Sequence, residues 1–163
     1  MRRIPQAGCA AATVVAATVS ALTSAGAASA EAPTAMPFAQ KLRRCDFSQY
    51  QYVGGSGYAR PSGQLRREGS DVVADVQLAT GLPNTPYDVR VIQMPRASAQ
   101  PCNAGDPGVA HAVLFTDGVG GGAVALRGAI MPGATGAWIS VTRPGTRSQQ
   151  PDEFYTTDLI AAL

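Results

Sequence analysis

The chain has few of the residues that build metal sites and nucleophilic active sites. It contains one histidine, His111, and three cysteines among its 163 residues. Zinc and copper sites normally draw several ligands from histidine and cysteine, so this composition argues against such a site. The sequence GGSG at 54–57 lacks the spacing of a nucleophile elbow, because Tyr58 stands where G-x-S-x-G requires its last glycine. We therefore expect no metal, no other cofactor and no catalytic residue.

Excess charge of either sign is also lacking. The chain has a formal net charge of +2, and Arg2 and Arg3 account for it, so residues 31–163 carry equal numbers of basic and acidic side chains. A neutral chain offers no basic stripe to follow a phosphate backbone and no cationic cluster for a lipid surface. We expect no nucleic-acid partner.

A membrane-spanning run is lacking as well. Residues 9–23 carry no charge, but threonine and serine dilute them, and they fall short of the roughly 20 strongly apolar residues of a membrane span. Two arginines precede this run and Ala-Ser-Ala at 28–30 follows it, a pattern that predicts a signal peptide over residues 1–30. The alternative is an uncleaved, weakly hydrophobic anchor. We expect a secreted or cell-wall-associated protein without a membrane span after cleavage, exported by the Sec or the Tat route.

Cleavage would leave two cysteines, Cys45 and Cys102. An even pair in an oxidising compartment predicts one disulfide. Closing a loop of about 57 residues would stabilise the fold by about 4 kcal/mol in the chain-entropy model, less any strain. A redox-active pair would need the close CxxC spacing that is absent here.

What the sequence has in abundance is alternation. In DVVADVQLA at 71–79, Val72, Ala74, Val76 and Leu78 fall on one side, and period two with a polar side is typical of a half-buried strand. Glycine, proline and asparagine punctuate these runs as short turns, such as Gly69-Ser70. The expected strands lie near residues 46–53, 62–68, 71–79, 87–94, 109–116, 123–130, 136–143 and 153–160.

Short antiparallel strands with one buried face pack best as two sheets face to face. The pattern therefore predicts an all-β, immunoglobulin-like antiparallel β-sandwich of seven to eight strands over residues 45–163, with a small β-barrel as the alternative. Residues 31–44 are expected to form a flexible N-terminal arm. The last strand is the least regular, because TTDLIAAL could also end as a helical turn.

The stretch HAVLFTDGVGGGAVALRG at 111–128 most resembles a site. A phosphate-binding glycine loop leads into a helix, whereas these glycines lead into the alternating AVALRGAI, so we expect a hairpin turn beginning at Thr116. The alternative function is a hydrolase that uses His111 with Asp117, which would need a converging nucleophile. Asp71 and Asp75 lie about 13 Å apart on one strand, too far for a glycosidase pair.

Exposed aromatic side chains are the remaining candidates for binding. Tyr50 and Tyr52 fall on one side of SQYQY, and Trp138 lies opposite Ile139 and Val141. If those two aliphatic residues point inward, Trp138 is exposed beside hydroxyl groups and suits a protein or glycan contact. The alternative is a tryptophan covered by a neighbouring loop.

The signal sequence ending AASA, the run GLPNTPYDVRVIQ, the following Cys102 and LFTDGVGGGAVAL resemble small exported proteins of actinobacteria. Most of those proteins are uncharacterised, and they have immunoglobulin-like sandwiches. The resemblance covers roughly residues 60–143; it implies an extracellular or cell-envelope location and no catalytic residue. We expect a non-enzymatic domain that binds an extracellular protein or glycan through a sheet face or loops, with a structural envelope component as a further alternative; the sequence leaves its oligomeric state open.

Overall fold

A computed structural model describes residues 32–145 and 150–163. The expected signal peptide lies outside the described residues. Among those described, no helix has the length and hydropathy of a membrane span. Ten strands follow one another: β1 (Thr34–Met36), β2 (Phe38–Ala39), β3 (Arg60–Glu68), β4 (Asp71–Ala79), β5 (Pro86–Met94), β6 (Val109–Phe115), β7 (Gly122–Ala129), β8 (Gly136–Arg143), β9 (Glu153–Thr157) and β10 (Ala161–Ala162).

The strands form two antiparallel sheets that pack face to face. The first sheet has the order β1-β3-β4-β7, and the second has the order β2-β9-β8-β5-β6, with β10 also paired to β8. β3, β4 and β7 lie in the first sheet, and the four strands β5, β6, β8 and β9 lie in the second. The chain therefore crosses repeatedly between the sheets, as in immunoglobulin-like sandwiches. The predicted sandwich is confirmed. The barrel alternative is wrong, because β6 and β7 remain edge strands of different sheets.

Alternation predicted the core strands well. The inward side of β4 is buried, and Val89, Val91, Ile139 and Val141 of the second sheet are buried against it. The turn at Gly69-Ser70 is the expected two-residue hairpin loop: Glu68 pairs with Asp71, and Gly69 has a φ of 62°. These strands bury their apolar sides because the period of two places one side of each strand on the interior.

One expected strand, one strand boundary and one expected hairpin need correction. Residues 46–53 form no strand, because Phe47 and Tyr52 have positive φ values of 69° and 61° that interrupt an extended chain. The last strand ends at Thr157, and the chain pairs again only at β10, without a helical turn. The connection from β6 to β7 is no hairpin, since those strands belong to different sheets.

The expected flexible arm at 31–44 is also corrected from Ala32 onward. β1 pairs with β3 of the first sheet, and β2 pairs with β9 of the second sheet. Pro37 lies between them, where the chain changes sheets and no ladder donor is needed. Met36 is buried in the core, which explains why the segment is held.

Candidate functional site

His111 lies on the outer side of the edge strand β6. Its Nε2 is 2.5 Å from Oδ1 of Asp88, and Arg90 approaches the other oxygen of Asp88 at 3.5 Å. His111 shares its side of the strand with Val113 and Phe115, and that side faces solvent. Among the described residues, its ring makes no hydrogen bond to a hydroxyl group that could act as a nucleophile.

Asp117 is not a partner of His111. Six residues of extended chain separate them by about 20 Å. The Asp117 carboxylate instead accepts hydrogen bonds from the backbone N–H groups of Val119 and Gly121, and these donors lower its pKa. The glycine-rich stretch is therefore a loop between two sheets that Asp117 holds in shape, and the structure does not assemble the pair that the hydrolase hypothesis needs.

Two other carboxylates considered for hydrolysis are held by arginines. Asp71 accepts from Arg127 at 2.8 Å, and Asp75 forms an ion pair with Arg66 on the outer face of the first sheet. Each carboxylate has its own cation, and they lie on one strand at the separation that the sequence predicts. Both carboxylates therefore belong to ion pairs on the protein surface.

Trp138 is buried, so its assignment to an exposed binding surface is wrong. Ile139 and Val141 do point into the core, but a second layer covers the opposite side of β8. Phe47 packs edge-on against Trp138 with 5.5 Å between ring centroids, in a cluster that includes the disulfide. β8 is thus buried on both faces, and the covered alternative is the observed one.

The covering layer is a short hairpin at residues 42–50, here called the cover hairpin. Arg43 and Gln49 form an isolated antiparallel bridge, and the N–H of Tyr50 donates to the carbonyl of Leu42 at 2.9 Å. The predicted Cys45–Cys102 disulfide is confirmed, with 5.6 Å between the Cα atoms. It joins the cover hairpin to the long loop at residues 95–108 on the outside of the second sheet, rather than joining the two sheets.

The two tyrosines predicted to share a surface are separated by this arrangement. Tyr50 is 37% exposed and lies beneath the guanidinium of Arg44, 4.2 Å from the ring centroid. Tyr52 is fully exposed at the following turn. Tyr50 lines a cavity, whereas Tyr52 is not among the residues lining it.

This cavity has a volume of about 630 Å³ and lies between the cover hairpin, the long loop, β5 and the residues Gln150 and Pro151 that precede β9. Arg43, Arg44 and Arg90 line it together with Tyr50 and the disulfide; we call it the arginine cavity. Its volume falls in the range of about 300–1,000 Å³ that is typical of small-molecule sites. Sequence reasoning missed these arginines, although a basic pair directly before a disulfide cysteine was visible.

Hydrogen bonds hold the walls of the arginine cavity. Arg43 donates to the carbonyl of Phe47, and Arg90 donates to the carbonyl of Cys102, each at 3.0 Å. Asp46 joins the cover hairpin to the long loop, because it accepts hydrogen bonds from Ser48 and from Ser98 at 2.6 Å. These hydrogen bonds lower the pKa of Asp46 to about 2.

A second polar cluster lies inside the sandwich. The Glu153 carboxylate accepts hydrogen bonds from the hydroxyls of Tyr87 at 3.1 Å and Tyr155 at 3.2 Å, and from Nε of Arg143 at 3.0 Å. The Tyr155 hydroxyl in turn accepts from the N–H of Ala59. Burial raises the pKa of Tyr155 to about 12. Because each of these groups has a partner, the cluster joins strands and loops.

Comparison with family models, with curated proteins and with solved structures finds no match to this chain. Within the part of the chain that the structure describes, no group of three or more His, Cys, Asp or Glu side chains is placed to hold a metal ion. The geometry of the candidate site is therefore its only support.

Proposed function

We propose that this protein is a non-enzymatic binding domain, secreted or associated with the cell envelope, which holds an extracellular protein or glycan partner in the arginine cavity. The observation that carries this proposal is the cavity itself, where Tyr50 and three arginines converge on about 630 Å³. Tyrosine and arginine are enriched among residues that dominate binding energy. Walls held by a disulfide and hydrogen bonds reduce the conformational entropy lost on binding.

The export half of the proposal rests on different observations. The Cys45–Cys102 disulfide is compatible with an extracellular location. The N-terminal pattern of residues 1–30 is typical of a signal peptide. The resemblance to small exported actinobacterial proteins, which have immunoglobulin-like sandwiches, is part of the same proposal.

The proposed absence of catalysis is supported by the contacts of the candidate catalytic groups. His111 contacts Asp88, whereas Asp117 holds its own loop about 20 Å away along the chain. A panel of ester and glycoside substrates tests this point directly. Hydrolysis by the wild-type protein that disappears in His111→Ala would overturn it and favour the hydrolase alternative.

The binding proposal is tested with the full chain, recovered after export from an expressing host. The protein is mixed with insoluble cell-wall material, either protease-treated or untreated, and the sedimented fraction is measured. We expect Tyr50→Ala to weaken retention about tenfold, because a central tyrosine contributes roughly 1–2 kcal/mol to binding. The protease-treated arm distinguishes a glycan partner from a protein partner.

Tyr52→Ala is the matched control, since Tyr52 is an aromatic residue two positions away that lies outside the cavity. Its retention is expected to stay within about twofold of the wild type. Equal retention of both variants and the wild type on both materials contradicts the cavity as the binding site. If the wild-type protein does not sediment with either cell-wall material, the binding proposal fails and a structural role in the envelope describes the protein better.

A further inference from the structure

We infer that the arginine cavity recognises an anionic group, the carboxylate or phosphate of an acidic extracellular glycan, with Arg44 as its principal contact. This inference rests on the proposed binding function and specifies its ligand. The described lining of the cavity includes three arginines and no aspartate or glutamate. In a chain whose residues 31–163 carry equal numbers of basic and acidic side chains, this local imbalance is a distinctive feature.

Nearby carboxylates do not cancel this charge equally at the three arginines. Arg90 faces Asp88 at 3.5 Å, and Arg43 faces Asp158 at 3.7 Å. Arg44 forms no ion pair within 4 Å among the described residues. Hydrogen bonds from Ser48 and Ser98 are the main cause of the lowered pKa of Asp46, and the charge of Arg44 adds a smaller effect.

Toward the residues that the structure describes, Arg44 also keeps most of its donors available. A guanidinium has five N–H groups, and the hydrogen bond that the structure gives to this one is a long contact of 3.5 Å to the carbonyl of Gln49. Its plane is supported by the ring of Tyr50 at 4.2 Å. A stacked guanidinium with free donors presents a fork that matches the two oxygens of a carboxylate or phosphate.

The other two arginines line the walls and donate hydrogen bonds to backbone carbonyls. Nε of Arg43 and Nε of Arg90 are buried without a hydrogen-bond partner among the described residues. Buried donors of this kind favour a nearby negative charge, since their own solvation by water has been lost. The carboxylates of Asp158 and Asp88 lie near these two guanidinium groups and supply part of that charge, so Arg44 is the arginine left for a ligand.

The size and the polar lining favour a sugar-borne anion over a protein surface. The cavity of about 630 Å³ has the volume of a small-molecule site. Ser98 and Asn103 add hydrogen-bonding groups beside the arginines, which suits hydroxyl groups next to an acidic one. We therefore assign the anion to an acidic glycan.

The test is calorimetric titration of the full chain after export with four probes: an oligogalacturonate, a phosphorylated dextran oligomer, a neutral dextran oligomer and inorganic phosphate. We expect binding of the oligogalacturonate, the phosphorylated dextran oligomer or both, weakening as salt is added, with at least tenfold lower affinity for neutral dextran. The first two probes distinguish carboxylate from phosphate. Inorganic phosphate shows whether the isolated anion suffices.

Arg44→Gln is expected to lower the affinity for the acidic probe at least tenfold. Arg67→Gln is the matched control: it removes the same charge from an exposed arginine outside the cavity and should change the affinity less than twofold. Arg44→Lys keeps the charge but loses the fork, so its affinity should fall between the two. Far-UV circular dichroism checks that all three variants are folded.

Equal effects of Arg44→Gln and Arg67→Gln would overturn the inference. Tighter binding of dextran than of both acidic probes would overturn it too, and if that binding is lost in Tyr50→Ala the proposed binding function survives. If no probe binds but protease-treated cell wall retains the protein through Tyr50, the anion inference fails alone. If Tyr50→Ala changes no binding at all, the proposed function and the inference fail together.

Discussion

At the scale of single residues, the glycine-rich stretch 118–122 resembles a phosphate-binding loop, but its Gly120 is required by the backbone conformation. The carbonyl of Gly120 accepts a hydrogen bond from the N–H of Gly81 at 2.9 Å. A Cβ atom built on Gly120 would lie 2.1 Å from the Gly81 carbonyl oxygen, and its φ is 82°. Glycine is required there because two loops approach closely, not because a phosphate binds.

Gly120→Ala is therefore expected to lower the free energy of unfolding by about 2–4 kcal/mol, through backbone strain and the close contact with Gly81. Gly118→Ala is the internal control, since nothing lies within 4 Å of its Cβ position; it should change stability by less than about 0.5 kcal/mol. Urea unfolding measures both. Equal stability of the two variants would contradict the close approach of the loops.

At the scale of elements, the cover hairpin decides which side of the second sheet meets solvent. It packs Phe47 against Trp138, and the disulfide joins it to the long loop. Phe47 adopts a positive φ of 69° to reach this position, a conformation that is unfavourable for a bulky side chain. Burial of the ring offsets that strain.

Phe47→Ala should lower the free energy of unfolding by about 1–3 kcal/mol and expose Trp138. Trp138 is the only tryptophan of the chain, so its fluorescence reports on the cover hairpin directly. We expect a red-shifted emission and stronger acrylamide quenching in this variant. Tyr52→Ala, an aromatic residue also at positive φ but fully exposed, should change neither signal. A Trp138 that stays shielded in Phe47→Ala would contradict the role given to the hairpin.

At the scale of the whole molecule, the buried Glu153 cluster joins parts of the chain that are distant in sequence. It links β5, β8 and β9 through Tyr87, Arg143 and Tyr155. It also reaches two connecting segments, because the N–H groups of Ala59 and Leu82 donate to the tyrosine hydroxyls. Burial raises the pKa of both tyrosines.

Because of this cluster, we expect the free energy of unfolding to fall at alkaline pH. The pKa of Tyr155 is about 12 in the fold against 10.0 for a free tyrosine, so the folded state holds the proton more tightly than the unfolded state. The contribution to stability is complete below pH 10 and is lost as the pH rises towards 12. Urea unfolding at a series of pH values should show this decline.

Tyr155→Phe should make the alkaline decline shallower than that of the wild type, since one of the two buried titrating hydroxyls is gone and Tyr87 remains. Tyr58→Phe is the matched control, because Tyr58 is 90% exposed in the segment next to Ala59, and its decline should equal that of the wild type. Circular dichroism checks that the variants are folded at neutral pH. A wild-type stability that is constant between pH 10 and 12 would contradict the raised pKa.

The strands from β3 to β9, the sandwich and the disulfide could be predicted from the amino-acid sequence, whereas β1, β2 and β10 could not. The period of two in β4 and β5 is a local property of neighbouring residues, so it can be read without knowing what packs on the strand. The cysteine pairing followed because residues 31–163 contain only Cys45 and Cys102.

Tertiary packing sets which side chains are exposed and which distant residues come together. The order of residues around Trp138 shows that Ile139 points inward, but a separate segment covers the other side, and no local pattern encodes that contact. Arg44 and Arg90 lie 46 positions apart and meet because a disulfide and packed rings place the cover hairpin beside β5. Contacts between distant segments depend on how whole surfaces fit, so side-chain order along one strand determines its faces but not its neighbours.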